Sequence, residues 1–137
     1  MESQVFIAEI SELPKMLDWV RGCASEAGFK SGDVKKIEIA LEEILVNVIS
    51  YAYIDQSGTI EVLASWEPKS HLKFILKDRG TPFNPLLHEA IIDPSIPIDE
   101  RVVGGLGLAL TKQFMDTLSY KREGSYNVLT LRKNVVL

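Results

Sequence analysis

The apolar positions of the chain fall into segments of two different periods. Over residues 4–10 they alternate, with Val5 and Ile7 on one side and Phe6, Ala8 and Ile10 on the other, which predicts a short strand. Ser11 ends that run and reads as the N-cap of a first helix with Pro14 in its first turn. Leu13, Met16, Leu17, Val20, Ala24 and Ala27 then recur at helical spacing until Gly28, an amphipathic helix of about four turns. A second helix is expected to be capped by Ser31, with Asp33 near its positive end and Ile37, Leu41, Ile44, Leu45, Val48 and Ala52 as its buried stripe.

After the turn Gln56-Ser57-Gly58 the period returns to two. Residues 59–66 and 71–77 read as the arms of a hairpin around Glu67-Pro68-Lys69-Ser70. Between Asp78 and about Val103 the periodicity is lost, and Pro82, Pro85, Pro94 and Pro97 accumulate there. A loop of that length in a small domain is usually functional or mobile. Gly104-Gly105-Leu106-Gly107 opens an apolar run, residues 108–115, that reads as a third helix. Residues 118–121 and 127–133 close the chain as a second hairpin across Glu123-Gly124-Ser125. Helices interleaved with hairpins predict an α+β fold, a two-layer α/β sandwich whose mostly antiparallel mixed sheet carries its helices on one face. With 137 residues, 46% of them hydrophobic, one domain over residues 1–137 is expected.

Charge narrows the function. Fifteen Lys and Arg against 19 Asp and Glu leave a net charge of -4 and a pI near 5.2, without the cationic face that non-specific nucleic-acid or anionic-membrane binding requires. Any anionic ligand is therefore held locally. The lone cysteine, Cys23, excludes an internal disulfide framework and suits a reducing compartment, so a cytoplasmic location is expected. The first residues lack a basic leader pattern, and no apolar run approaches the roughly 18 residues of a spanning helix. His71 and His88 stand without a second His or Cys at ligand spacing, which disfavours a transition-metal site. Cys23 reads as a small core hydrophobe, and Trp19, Trp66 and Tyr120 as packing residues rather than a base-stacking platform.

Three elements can carry chemistry. Glu43 and Asn47 lie four apart on the second helix and so project from one face. A carboxylate there can accept a proton and an amide oxygen can ligate Mg²⁺. The same spacing also fits an ordinary solvated polar pair, but Asn47 sits among Leu45, Val46, Val48 and Ile49, and a buried amide needs partners. In Asp78-Arg79-Gly80-Thr81-Pro82-Phe83 an acid ends a strand and a glycine follows two residues later. An ionised Asp is acceptor-only and can take a hydrogen bond from an exocyclic amine, while Gly80 lets a flat ring approach; an ordinary Asp turn is the competing reading. Gly104-Gly105-Leu106-Gly107 before a helix offers free backbone N–H groups to a phosphate, or acts simply as a hinge. It has neither the Walker pattern nor the dinucleotide fingerprint.

Taken jointly and in this order, the three elements resemble the Bergerat-fold (GHKL) ATPases, most closely the small anti-sigma-factor serine kinases of bacterial partner-switching systems. The resemblance covers nearly the whole chain. It rests on Glu43-Ile44-Leu45-Val46-Asn47 with the later Tyr53, on Asp78 to Phe83, and on Gly104-Gly105-Leu106-Gly107-Leu108. It implies that ATP is the cofactor, that Asn47 ligates Mg²⁺ and that Glu43 is the catalytic base. Asp78 would bind the adenine amine, helped by Gly80 and by Thr130 through a water. Residues 84–103 would form a lid, with Gly105 and Gly107 contacting phosphate and Arg101 neutralising γ-phosphate charge. Glu42 would lie one helical step off the site. The implied activity is protein-serine phosphorylation of an anti-sigma-factor antagonist of the STAS-like type, with sequestration of a sigma factor by a homodimer. A nucleotide-gated binding switch without transfer, or a kinase of another signalling cascade, are the competing functions. The chain departs from the family pattern at Tyr51-Ala52-Tyr53, where relatives tend to carry a His, and in the apolar character of residues 91–98.

Overall fold

A computed structural model describes residues 1–53, 56–87 and 104–136, with residues 104–107 described by their backbone. Among the described residues five strands and three α-helices follow in the order β1 (Glu2–Ile7), α1 (Leu13–Glu26), α2 (Ser31–Tyr51), β2 (Thr59–Glu67), β3 (His71–Asp78), α3 (Gly104–Phe114), β4 (Thr117–Glu123) and β5 (Tyr126–Asn134). The sheet order is β1-β2-β3-β5-β4. All four ladders are antiparallel, so the described sheet contains no parallel pair. No helix among the described residues is long and apolar enough to cross a membrane.

Alternation decides which face of the sheet is covered. Along β3 every second residue from Leu72 to Asp78 is buried, and the cross-strand register gives Leu129 and Leu131 of β5 the same face. Against that face α2 lays Ile37, Leu41, Ile44, Leu45 and Val48, and α1 lays Met16, Leu17, Val20 and Ala24, forming one core. Cys23 belongs to it, and its thiol is pushed up to about 11 by burial, with Glu2 and Glu26 adding to the rise. Trp19, Trp66 and Tyr120 are partly buried against this core.

The chain departs from the sequence expectations at three local points. The first strand runs Glu2–Ile7 rather than over residues 4–10, because a 3-10 turn (Ile10–Glu12) takes up Ile10 before α1 begins. Ser11 lies inside that turn and is not the helix cap; Glu12 holds the position and makes no side-chain cap bond. Ser31 is the first residue of α2, with Lys30 at the cap position, so the expected hydroxyl cap is not made. In both cases the preceding backbone, rather than a hydroxyl, sets the entry. The α1 end is as expected: Gly28 has φ +96, a left-handed conformation that glycine adopts without strain.

Contacts give the direction of α3. Lys36 lies over the Phe114 ring at 5.9 Å, and Thr111 Oγ1 donates to the Ala40 carbonyl at 3.2 Å. As the α2 number rises the α3 number falls, so the helices are antiparallel. The N-terminal end of α3 therefore lies toward the Glu43–Asn47 half of α2.

Candidate functional site

The second helix is the spine of the site. Asn47 is buried at 3% exposure and donates from Nδ2 to Glu43 Oε1 at 3.3 Å, joining the two residues that the i, i+4 spacing predicts on one face. No polar side-chain atom among the described residues is both buried and without a hydrogen-bond partner. Asn47 Oδ1, which takes no hydrogen bond, therefore keeps a solvent edge. Glu43 is half-buried beside it, whereas Glu42 is exposed, one step around the helix. The N-terminal end of α3, whose first amides have no acceptor within the helix and which carries the positive end of its dipole, lies toward this pair.

About 7.5 Å farther along the helix axis, Ala52 receives the Asp78 corner. Thr81 donates to the Ala52 carbonyl through both its N–H, at 2.9 Å, and its hydroxyl, at 3.3 Å. Gly80 fits against the same peptide: a Cβ there would come within 2.3 Å of the Ala52 oxygen, a contact only glycine avoids. The Tyr51 and Phe83 rings meet at 5.5 Å between centroids. The turn after β3 is thus fastened to the end of α2 by backbone and ring contacts together.

Asp78 is buried at 5% exposure, an unusual setting for a carboxylate. Its Oδ1 accepts from the Gly80 N–H and from Asn127 Nδ2, both at 2.9 Å, while Oδ2 accepts nothing and keeps a solvent edge. Burial raises its pKa above the ordinary aspartate range; the Asn127 and Gly80 hydrogen bonds and the Arg122 charge hold the rise back. One oxygen is therefore saturated by the protein and the other is available to a donor. A cleft of about 240 Å³ that Asp78 also lines opens on the other face of the sheet, among Glu61, Lys77, Arg79 and Tyr126, away from Asn47.

Asn127 is the residue that sequence reasoning missed. Its Nδ2 donates to Asp78 Oδ1 and to the Thr81 carbonyl at 2.8 Å, and its Oδ1 accepts from the Phe83 N–H at 3.2 Å and from the Tyr120 hydroxyl at 2.5 Å. Every hydrogen-bonding capacity of the amide is used. A signal was present: in the predicted last strand Asn127 shares parity with Leu129 and Leu131 and so belongs on the buried face. Arg122, also unforeseen, donates from Nη1 to the Gly80 carbonyl at 2.8 Å.

Thr130 is not brought to the site. It pairs with Ile75 in the β3–β5 register, and that rung points to the face opposite Asp78; the residue directly across from Asp78 is Asn127. Arg101 and His88 lie outside the described residues, as does the expected lid beyond residue 87. Gly105 and Gly107 stand in the first turn of α3, described by their backbone.

Residues 6–133 match the family described as the histidine kinase-like ATPase domain. The chain is 35% identical over 117 residues to a serine-protein kinase RsbW of Halalkalibacterium halodurans, covering 83% of this chain and 70% of that protein. It is 26% identical over 111 residues to an RsbW of Bacillus mycoides, covering 79% and 69%. Among solved structures, the RsbU and RsbW domains of a Mycobacterium tuberculosis protein superpose with a TM-score of 0.60 at 14% identity, over 97% of this chain and 32% of that one. The mycobacterial sensor histidine kinase MprB does so with a TM-score of 0.54 at 16% identity, over 96% and 97%. These structures share the fold; the chain spans about a third of the first.

Proposed function

Since the chain belongs to the histidine kinase-like ATPase domain family, we propose that it is an ATP-dependent protein-serine kinase acting on an anti-sigma-factor antagonist and holding a sigma factor by alternative binding. The observation that carries this reading is convergence on one helix: the Glu43–Asn47 pair, the amide end of α3 and the Asp78 corner all meet the C-terminal half of α2. Relatives named as serine-protein kinases support the protein acceptor.

Asp78 Oδ2 accepts the adenine amine, and the hydrogen bonds on Oδ1 keep the carboxylate in one orientation for it. The backbone of Gly105 and Gly107, at the start of α3, receives phosphate. The donor set fits Mg²⁺, a hard cation that takes neutral amide oxygens alongside phosphates, and Asn47 Oδ1 is the atom that would hold it. When bound, the ion neutralises charge on the triphosphate. Glu43 orients the acceptor serine and takes its hydroxyl proton. As the serine oxygen bonds to the γ-phosphorus, the bond from that phosphorus to the bridging oxygen breaks and ADP leaves. Positioning and charge neutralisation suffice for this reaction. The proposed setting is the cytoplasm, with a homodimer as the assembled form.

The test is calorimetric binding of ATP and ADP with and without Mg²⁺, beside Asp78→Asn. Binding enhanced by Mg²⁺ in the native chain, weakened in the variant by roughly 1.5–3 kcal/mol, is expected for loss of a charge-assisted hydrogen bond. Equal affinity in both proteins removes Asp78 from the site.

A further inference from the structure

The β2–β3 ladder has its last pair at Ile60 with Asp78, and the same register would next pair Thr59 with Arg79. That rung is bridged by a side chain. The Tyr53 hydroxyl accepts from the Arg79 N–H at 2.8 Å and donates to the Thr59 carbonyl at 2.7 Å, so the two backbone groups meet through its oxygen. The ring is fixed from the other side by Gly58, where a Cβ would stand 2.1 Å from the ring carbons. Gly58 is held in turn, its carbonyl accepting from the Ala8 N–H at 2.9 Å.

The position of this bridge gives it a consequence. Arg79 N–H belongs to the peptide that leaves Asp78, and the carboxylate itself is fixed through Gly80 and Asn127. We propose that Tyr53 is a positioning residue for Asp78: its hydroxyl is a built-in rung that sets how β3 leaves the sheet, and thereby where Asp78 Oδ2 points. This rests on the reading that Asp78 accepts the adenine amine. The guanidinium of Arg79, stacked on the Tyr126 ring at 4.8 Å, keeps the residue after Asp78 from swinging toward the spine helix.

Base discrimination separates this role from a merely structural one. Inosine diphosphate carries a carbonyl in place of the amine and a proton on N1, so at the exocyclic position it presents Asp78 with an acceptor where ADP presents a donor. The full chain is titrated with both nucleotides in the native form and as Tyr53→Phe, which keeps the ring against Gly58 and removes only the bridging oxygen. ADP affinity is expected to fall about five-fold, the worth of one ordinary hydrogen bond, with inosine diphosphate nearly unchanged, so that discrimination narrows by the same factor. Equal weakening of both nucleotides, or no change in either, overturns the proposal. Native protein that binds the two alike overturns the Asp78 reading first, and the Tyr53 role with it. Gly58→Ala pushes the same ring from behind and is expected to narrow discrimination likewise; it decides the matter if Tyr53→Phe does not fold.

Discussion

In the C-terminal half of α2 Glu43 and Asn47, on one unbroken helix, are joined by a hydrogen bond of 3.3 Å. At the Asp78 corner, by contrast, Asn127 of β5, Arg122 of β4, and Ala52 and Tyr53 at the end of α2 bring side-chain and backbone partners from three separate parts of the fold onto residues 78–83. The first arrangement sets a half-buried carboxylate beside an amide oxygen with an open edge, which suits the proton transfer proposed for Glu43. The second removes freedom, as recognition of one flat base requires, because a donor or acceptor fixed beforehand loses little entropy on binding. On the proposed function, proton transfer is placed on a pair that one helix aligns, and base recognition at a corner that several distant segments hold.

The contrast is broken most severely at Glu43. Glu43→Gln keeps an acceptor for Asn47 and leaves the helix intact, so nucleotide affinity is expected to stay within about two-fold. Phosphoryl transfer to the acceptor protein should fall by about 10²–10⁴, the usual worth of a general base. Radiolabel transfer in single turnover measures it, and an unchanged rate takes the base role from Glu43.

At the corner the expected order reverses, with stability affected beside affinity. Asn127→Ala strands the Thr81 carbonyl, the Phe83 N–H and one bond to Asp78, and should cost roughly 2–3 kcal/mol in chemical denaturation. A loss below about 0.5 kcal/mol would mean that water replaces the amide and that the cross-bracing is not what holds the corner.

The smallest effect is the most diagnostic in sign. Burial raises Asp78, so the folded chain holds its proton to higher pH than the unfolded chain does. The group's contribution to stability is then fully present below the ordinary aspartate pKa and is lost as pH rises through the raised value. Adenine binding as proposed needs the ionised form and is expected to run the other way, weakening as pH falls through the same window. Asp78→Asn is expected to flatten both trends and to leave the melting temperature at neutral pH equal to or above that of the native chain. A variant that melts lower and keeps the pH dependence would assign the titration to another group.

Much of the fold was legible because it is local. The 3.6 period of α2, the hairpin turn after Pro68, and the glycine turn at Gly124 (φ 60) follow from local turn chemistry and burial of one face. The Glu43–Asn47 pair was legible for the same reason, since helix spacing alone brings the two together. Ser11 and Ser31 do not cap their helices, because a hydroxyl is one of several ways to begin a helix and here Glu12 and Lys30 take the cap positions.

Thr130 and Asn127 show the boundary most clearly. Both are polar residues of one strand, three apart, and alternation sends them to opposite faces. Sequence by itself determined the elements, the helix that bears the Glu43–Asn47 pair, and the acid that ends β3. Only the tertiary structure decided that Asn127 stands across from Asp78, that α3 presents its N-terminal end toward Asn47, and that a tyrosine hydroxyl fills a rung of the sheet. Local steric preference is written within a few residues, whereas strand register and helix direction are chosen by packing between segments distant along the chain.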